Sequence, residues 1–197
     1  EVYNSGGIGK PSDVAGHWDE VGPHYRMPII GDVWLEDPLP SSYPPSIAFK
    51  AAELQDHKKA LIFLRRLREQ VLLEKKNITK WPVIAEAATH AGLDTARLHS
   101  DFSGAANALF QADLTLARSL GVRGFPTFLF SNADGGRELV YGARPYEQFV
   151  TAVKALKPDV VSAPLPTTLQ DLFHVQDSWC PEEVAVVLDI THAQALE

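Results

Sequence analysis

From residue 46 to residue 120 the apolar positions of this chain recur every three to four residues, the spacing of one helix face. The clearest case is 58–74, where Leu61, Leu64, Leu67, Val71 and Leu72 form a stripe and Arg65, Arg66, Arg68 and Glu69 lie off it. Ile47, Ala48, Ala51, Ala52 and Leu54 make a similar stripe before it, with a break at Asp56-His57. Thr79 is placed to cap a helix that takes Pro82 in its first turn, runs to about His90 and ends at Gly92. Asp94 caps the next. After Gly104, Leu109, Phe110, Leu114, Ala117 and Leu120 keep the helical spacing. Helices joined by such short turns predict a helical subdomain over 46–120.

The pattern changes after Leu120, at Gly121-Val122-Arg123-Gly124-Phe125-Pro126-Thr127. Gly121 follows a helix, where a left-handed residue commonly ends one, and Gly124 loosens the loop again. The apolar run 127–130 is short and bounded by turn signals, so it predicts a buried strand. Pro126 has no amide hydrogen and belongs at the start of that strand or on an edge. Asn132 to Gly136 supplies a turn and 138–142 a return strand, so 127–141 reads as an antiparallel hairpin followed by a helix over 146–156.

Before residue 46 the signals are weaker. Residues 1–10 read as a glycine-bearing loop; it is not a dinucleotide loop, because no strand precedes it. Ser12 caps a helix that Gly22-Pro23 stops near Val21. His17 and His24 stand too far apart to suggest a metal pair. Residues 27–37 predict an extended connector with a short strand, and the prolines of 37–45 predict a rigid spacer. Beyond the hairpin, 158–166 is a second linker, followed by helices over 168–174 and 181–188 and a third that Thr191 begins. The last two have the outline of a helix-turn-helix. Their charge does not suit DNA, since Glu182, Glu183 and Asp189 are acidic and no Lys or Arg follows Lys157. A docking or oligomerisation element is the expectation, which leaves room for a homo-oligomer.

Composition narrows the function. The 197 residues carry a net charge of −7, which argues against nucleic acid as the main partner. No apolar run is long enough to span a bilayer, and no signal-peptide pattern opens the chain. Glu1 is not an initiator methionine, so an upstream segment is expected outside this sequence. The single cysteine, Cys180, excludes an internal disulfide and a Cys-X-X-Cys pair within these residues. It precedes Pro181 at a predicted helix start, where the dipole favours a thiolate, although a buried structural thiol is the commoner case. Asn77-Ile78-Thr79 is a glycosylation sequon, relevant only in a secretory compartment. No Ser-His-Asp set or metal set has a spacing that carries chemistry.

The loop 121–130 resembles the proline loop of the DsbA-like thioredoxin-fold family. Met27-Pro28 through Trp34-Leu35-Glu36-Asp37-Pro38, Ser41-Ser42-Tyr43-Pro44 and Gly142-Ala143-Arg144-Pro145-Tyr146-Glu147 are similar to its cytoplasmic-type branch, which includes FrnE-type disulfide isomerases and adaptors in protein degradation. The resemblance implies an α/β thioredoxin-like fold of the DsbA type with a large inserted all-helical subdomain. Residues 1–45 and 121–157 would be the thioredoxin-like part, 46–120 the insertion and 158–197 a C-terminal helical extension. It implies that the Phe125–Pro126 bond is cis and that Arg123, Gly124, Phe125, Pro126 and Thr127 line a substrate groove. The family's N-terminal βαβ part and its Cys-X-X-Cys would lie before Glu1, so no catalytic residue is expected within these residues. Were that part absent altogether, the bare sheet edge would be filled by another chain or by 27–37.

Three functions follow. The first is a cytoplasmic thiol–disulfide oxidoreductase or isomerase acting on protein or peptide thiols and disulfides, with no metal or bound cofactor. The second is a glutathione-dependent isomerase or transferase of the 2-hydroxychromene-2-carboxylate isomerase type, with serine in place of the redox cysteine. The third is a redox-inactive adaptor that binds a protein partner.

Overall fold

A computed structural model describes residues 9–197, so the loop expected over 1–10 lies almost wholly outside the described residues. The chain divides into two units: residues up to 111 together with 166–197, and residues 112–165.

The first unit begins with α1 (Pro11–Tyr25) and a single-turn helix, α2 (Val33–Glu36). Lys10, not Ser12, occupies the N-cap of α1, because Pro11 takes the first helical position and the Asp13 carboxylate accepts hydrogen bonds from the Gly9 and Lys10 amides. Gly22-Pro23 does not stop α1. Proline costs one hydrogen bond there, and the helix ends three residues later at Arg26, whose φ is 53°. The strand expected within 27–37 is absent. Ile30 N–H bonds to the Leu72 carbonyl, and α2 buries Val33 and Trp34 against Val14, Ala15, Leu39 and Val71. Trp18 meets Trp34 edge to face at 5.4 Å.

Helices α3 (Tyr43–Glu53), α4 (His57–Leu72), α5 (Trp81–His90), α6 (Thr95–Ser103) and the start of α7 (Ala105–Ser119) follow. Tyr43, Pro44 and Pro45 form the first turn of α3, so the spacer ends sooner than the prolines suggest. Proline is tolerated there because the first amides have no helical partner. The core of these helices joins Ala48, Ala51, Phe63, Leu67, Ile84, Ala87 and Leu98. On α4 the buried stripe is Ala60, Phe63, Leu67, Gln70 and Val71. It is rotated from the expected one: Leu61 and Ile62 are half-exposed. Phe63 carries the largest side chain of the stripe, and its burial sets the inward direction. Asp56 and Asp94 cap α4 and α6 through their carboxylates. Thr79 does not cap α5; Lys80 holds that place, because the Thr79 hydroxyl is bonded to Asn77.

The C-terminal segment belongs to this first unit. It carries α9 (Leu169–Phe173), α10 (Pro181–Leu188) and α11 (His192–Ala195). Leu172 is fully buried, and Trp179 Nε1 donates to the Leu172 and Gln176 carbonyls. Arg65 on α4 gathers this segment: its guanidinium donates to Glu183, to the Ser178 carbonyl and hydroxyl, and to Glu69. The neighbouring Glu182 pairs with Arg26 at 2.7 Å and with His192 Nδ1 at 2.8 Å.

The second unit holds the end of α7, the hairpin β1 (Thr127–Ser131) and β2 (Arg137–Tyr141), and α8 (Tyr146–Leu156). The strands pair antiparallel from Thr127↔Tyr141 to Ser131↔Arg137, and this two-stranded sheet is the whole of the sheet among the described residues. Phe149 of α8 meets Phe128 edge to face at 4.9 Å, and Val140 is buried on the same face. Successive side chains alternate faces, so Leu129, Leu139 and Tyr141 point away from α8 and stay exposed. The fully buried strand expected over 127–130 is therefore only half covered.

Candidate functional site

The site is built from two chain reversals brought side by side by the hairpin register. At the first, α7 ends where the Gly121 and Val122 amides bond to the Arg118 and Ala117 carbonyls, and Gly121 takes φ +72°. That left-handed residue turns the chain into the loop, as expected of glycine after a helix. The Phe125–Pro126 bond is cis.

Hydrogen bonds fix the loop at its C-terminal end. Thr127 Oγ1 donates to the Gly124 carbonyl at 2.6 Å, and the Gly142 amide donates to the Pro126 carbonyl at 2.9 Å. Tyr141 stands opposite Thr127, and Arg144 Nε bonds to the Tyr141 carbonyl at 2.9 Å. The Tyr141 hydroxyl lies 2.7 Å from where a Cβ on residue 124 would be, so the ring occupies the space that glycine leaves. Phe125 projects outward with 90% of its surface exposed, beside exposed Arg123 and Pro126. The bonds from Gly142 to Pro126 and from Asn132 to Gly136 mark the bonded pairs of the ladder. Thr127, Leu129 and Ser131 consequently turn their amides and carbonyls away from β2. That edge of β1 has no strand beside it among the described residues.

Of the expected residues, the structure brings Gly124, Pro126 and Thr127 into one bonded loop and leaves Arg123 and Phe125 projecting from it. Tyr141, Gly142 and Arg144 join them. Counting outward from the turn at Asn132 to Gly136 would have put Tyr141 opposite Thr127.

Two other candidates resolve into structural roles. The Asn77 side chain is buried: Nδ2 donates to the Asp37 and Pro38 carbonyls at 3.2 Å, and Oδ1 accepts from the Thr79 amide and hydroxyl. Its amide is thus occupied in holding the spacer to the start of α5. Cys180 is half-buried at the N-cap of α10, where its amide donates to Glu183 at 2.8 Å. Burial, and then the Glu183 charge, push its thiol above the ordinary value despite Arg65 nearby. It is not an activated thiolate. Among the described residues no group of His, Cys, Asp or Glu has the geometry of a metal site, and no helix is long and apolar enough to cross a membrane.

Residues 9–151 match the sequence profile of the thioredoxin family. The chain is 37% identical over 182 residues to a ClpXP adapter protein SpxH of Halalkalibacterium halodurans, covering 90% of this chain and 59% of that protein. It is 31% identical to the SpxH of Bacillus subtilis, covering 88% and 60%. The chain thus spans about three fifths of the length of these curated relatives. Among solved structures it resembles the cytosolic disulfide reductase DsbM of Pseudomonas aeruginosa, with TM-score 0.58, 25% identity, and coverage of 77% and 73%. With the profile matched over most of its length, the chain belongs to the thioredoxin family, in its DsbA-like form.

Proposed function

We propose that this chain is part of a cytoplasmic adaptor that binds a protein client and delivers it to a ClpXP-type protease. The observation that carries this reading is the extent of the likeness to SpxH. The family profile ends at Thr151, but a match over 90% of the chain must run on through α9. The likeness to the adaptor therefore extends past the family profile as far as α9. In this reading the client segment binds at the loop Arg123 to Thr127, with exposed Phe125 as an apolar anchor.

The test is protein turnover in cells lacking the full-length protein. A small set of proteins should gain half-life, and wild type but not Phe125→Asp should restore their degradation. Turnover unchanged by the deletion would sink the adaptor reading.

The loop also favours a second reading, a thiol–disulfide oxidoreductase with its dithiol before Glu1 and glutathione as the thiol partner. The likeness to DsbM supports it. Insulin reduction by the full-length protein with glutathione tests it, and activity that survives replacement of every upstream cysteine by serine would count against it.

A further inference from the structure

We propose that Asp134, at the tip of the β1–β2 hairpin, is a site of spontaneous covalent modification: its side chain closes on the Gly135 amide and the residue converts to isoaspartate. Asp134-Gly135 is the only Asp-Gly or Asn-Gly step in the sequence. Both residues are exposed, and the Asp134 carboxylate has no hydrogen bond or ion pair among the described residues. Gly135 takes φ +84°, and no atom lies within 4 Å of where its Cβ would be. The Asp134 carboxyl is therefore free to rotate toward the next amide, and no side chain shields that amide. One bond restrains it, from the Gly135 amide to the Asn132 carbonyl at 3.3 Å, longer than such bonds usually are.

The same turn holds a competitor that the fold disables. Asn132 could close on the Ala133 amide, a reaction that side-chain amides ordinarily undergo at neutral pH. Here Asn132 is half-buried and both ends of its side chain are engaged. Its Oδ1 accepts from the Gly136 amide at 2.7 Å, and its Nδ2 donates to the Leu156 carbonyl at 3.2 Å. Turning that side chain onto Ala133 breaks both bonds, whereas turning Asp134 breaks none made by its own carboxylate. The chemistry needs only water. The Gly135 nitrogen bonds to Cγ of the protonated Asp134 carboxyl, the Cγ–OH bond breaks, and the hydroxyl leaves as water with the amide proton. The succinimide then takes up water at either carbonyl. Opening at Cγ restores aspartate; opening at the main-chain carbonyl leaves the chain running through Cβ and Cγ, with the mass unchanged. The added methylene falls inside the closure made by the Asn132 amide and the Gly136 carbonyl at 3.2 Å, next to the Ser131↔Arg137 pair that ends the ladder.

The test incubates the full-length protein for weeks at neutral pH and body temperature and follows the tryptic peptide 124–137, bounded by Arg123 and Arg137. A second chromatographic form of unchanged mass should accumulate. It should resist an aspartate-specific endoproteinase at residue 134 and accept a methyl group from S-adenosylmethionine through an isoaspartate-specific methyltransferase. Asp134→Glu should lose this form, because closure through one more methylene is slow; the position is exposed, so the melting temperature should hold. The synthetic peptide 124–137 is the unfolded reference. In it, deamidation of Asn132, which raises the mass, should appear beside the isomerisation; in the folded protein only the isomerisation should remain. A folded protein in which the second form never appears would overturn the proposal. So would one whose mass rises at Asn132 instead, or one in which Asp134→Glu leaves the isoaspartate in place.

Discussion

Arg65 and Glu183 stand 118 residues apart in sequence and meet through two parallel hydrogen bonds, Nη1 to Oε1 at 2.7 Å and Nη2 to Oε2 at 2.9 Å. The fork-to-fork geometry is the strongest form of this contact, and both side chains are about three-quarters buried. Arg65→Ala leaves Glu183 without its cation and should cost about 1.5–3 kcal/mol. Chemical denaturation should show the loss, and the Trp179 signal should shift with it.

The same pair sets an acid limb. Burial works to raise the Glu183 carboxyl, but the Arg65 guanidinium and the Cys180 amide outweigh it and hold the group below the ordinary glutamate value. A lowered folded-state pKa means stability present in full above about pH 4.3, the unfolded value, and lost as pH falls from there toward the folded value. Thermal unfolding measured from neutral pH downward should show this limb. Glu183→Gln should flatten it and lower stability at neutral pH.

Asn77→Ala removes both ends of a satisfied buried amide and leaves the Asp37 and Pro38 carbonyls without that donor. A loss of about 1–3 kcal/mol is expected from urea unfolding. If the protein is passed through a secretory pathway, its mass should show no glycan at this position.

Gly124→Ala places a methyl group against the Tyr141 hydroxyl and should cost about 1 kcal/mol, the low end for overpacking because the ring is half-exposed and can yield. Tyr141→Phe removes the atom in conflict. The double variant should therefore be more stable than the two single effects added together. Simple additivity in a melting series would remove Tyr141 from the loop's support.

Cys180 should react with iodoacetamide at neutral pH more slowly than a free thiol, because its thiolate is disfavoured. Glu183→Gln removes the nearby negative charge and should speed the reaction.

Much of this architecture was readable from local pattern. The periodic helices, the turn at Asn132 to Gly136 and the caps at Asp56 and Asp94 each depend on residues within a few positions of one another. The cis bond before Pro126 was legible only through family resemblance. What escaped had a different physical origin. A single-turn helix such as α2 is too short to show a period, so Val33 and Trp34 looked like strand residues. The turn of α4 depends on which side chain wins the core, and Phe63 displaced Leu61. Tyr141 enters the site by pairing across the hairpin, and Arg65 reaches Glu183 through tertiary folding that no local signal announces.

That reach decides where the protein can be cut. A boundary drawn at Thr151, where the family match stops, would remove Glu183, Ser178 and Leu172 together and leave Arg65 on α4 with only Glu69 beside it. An expression boundary beyond Leu188 keeps the ion pair and its apolar plug on one polypeptide, and adding α11 also retains the link from His192 through Glu182 to Arg26.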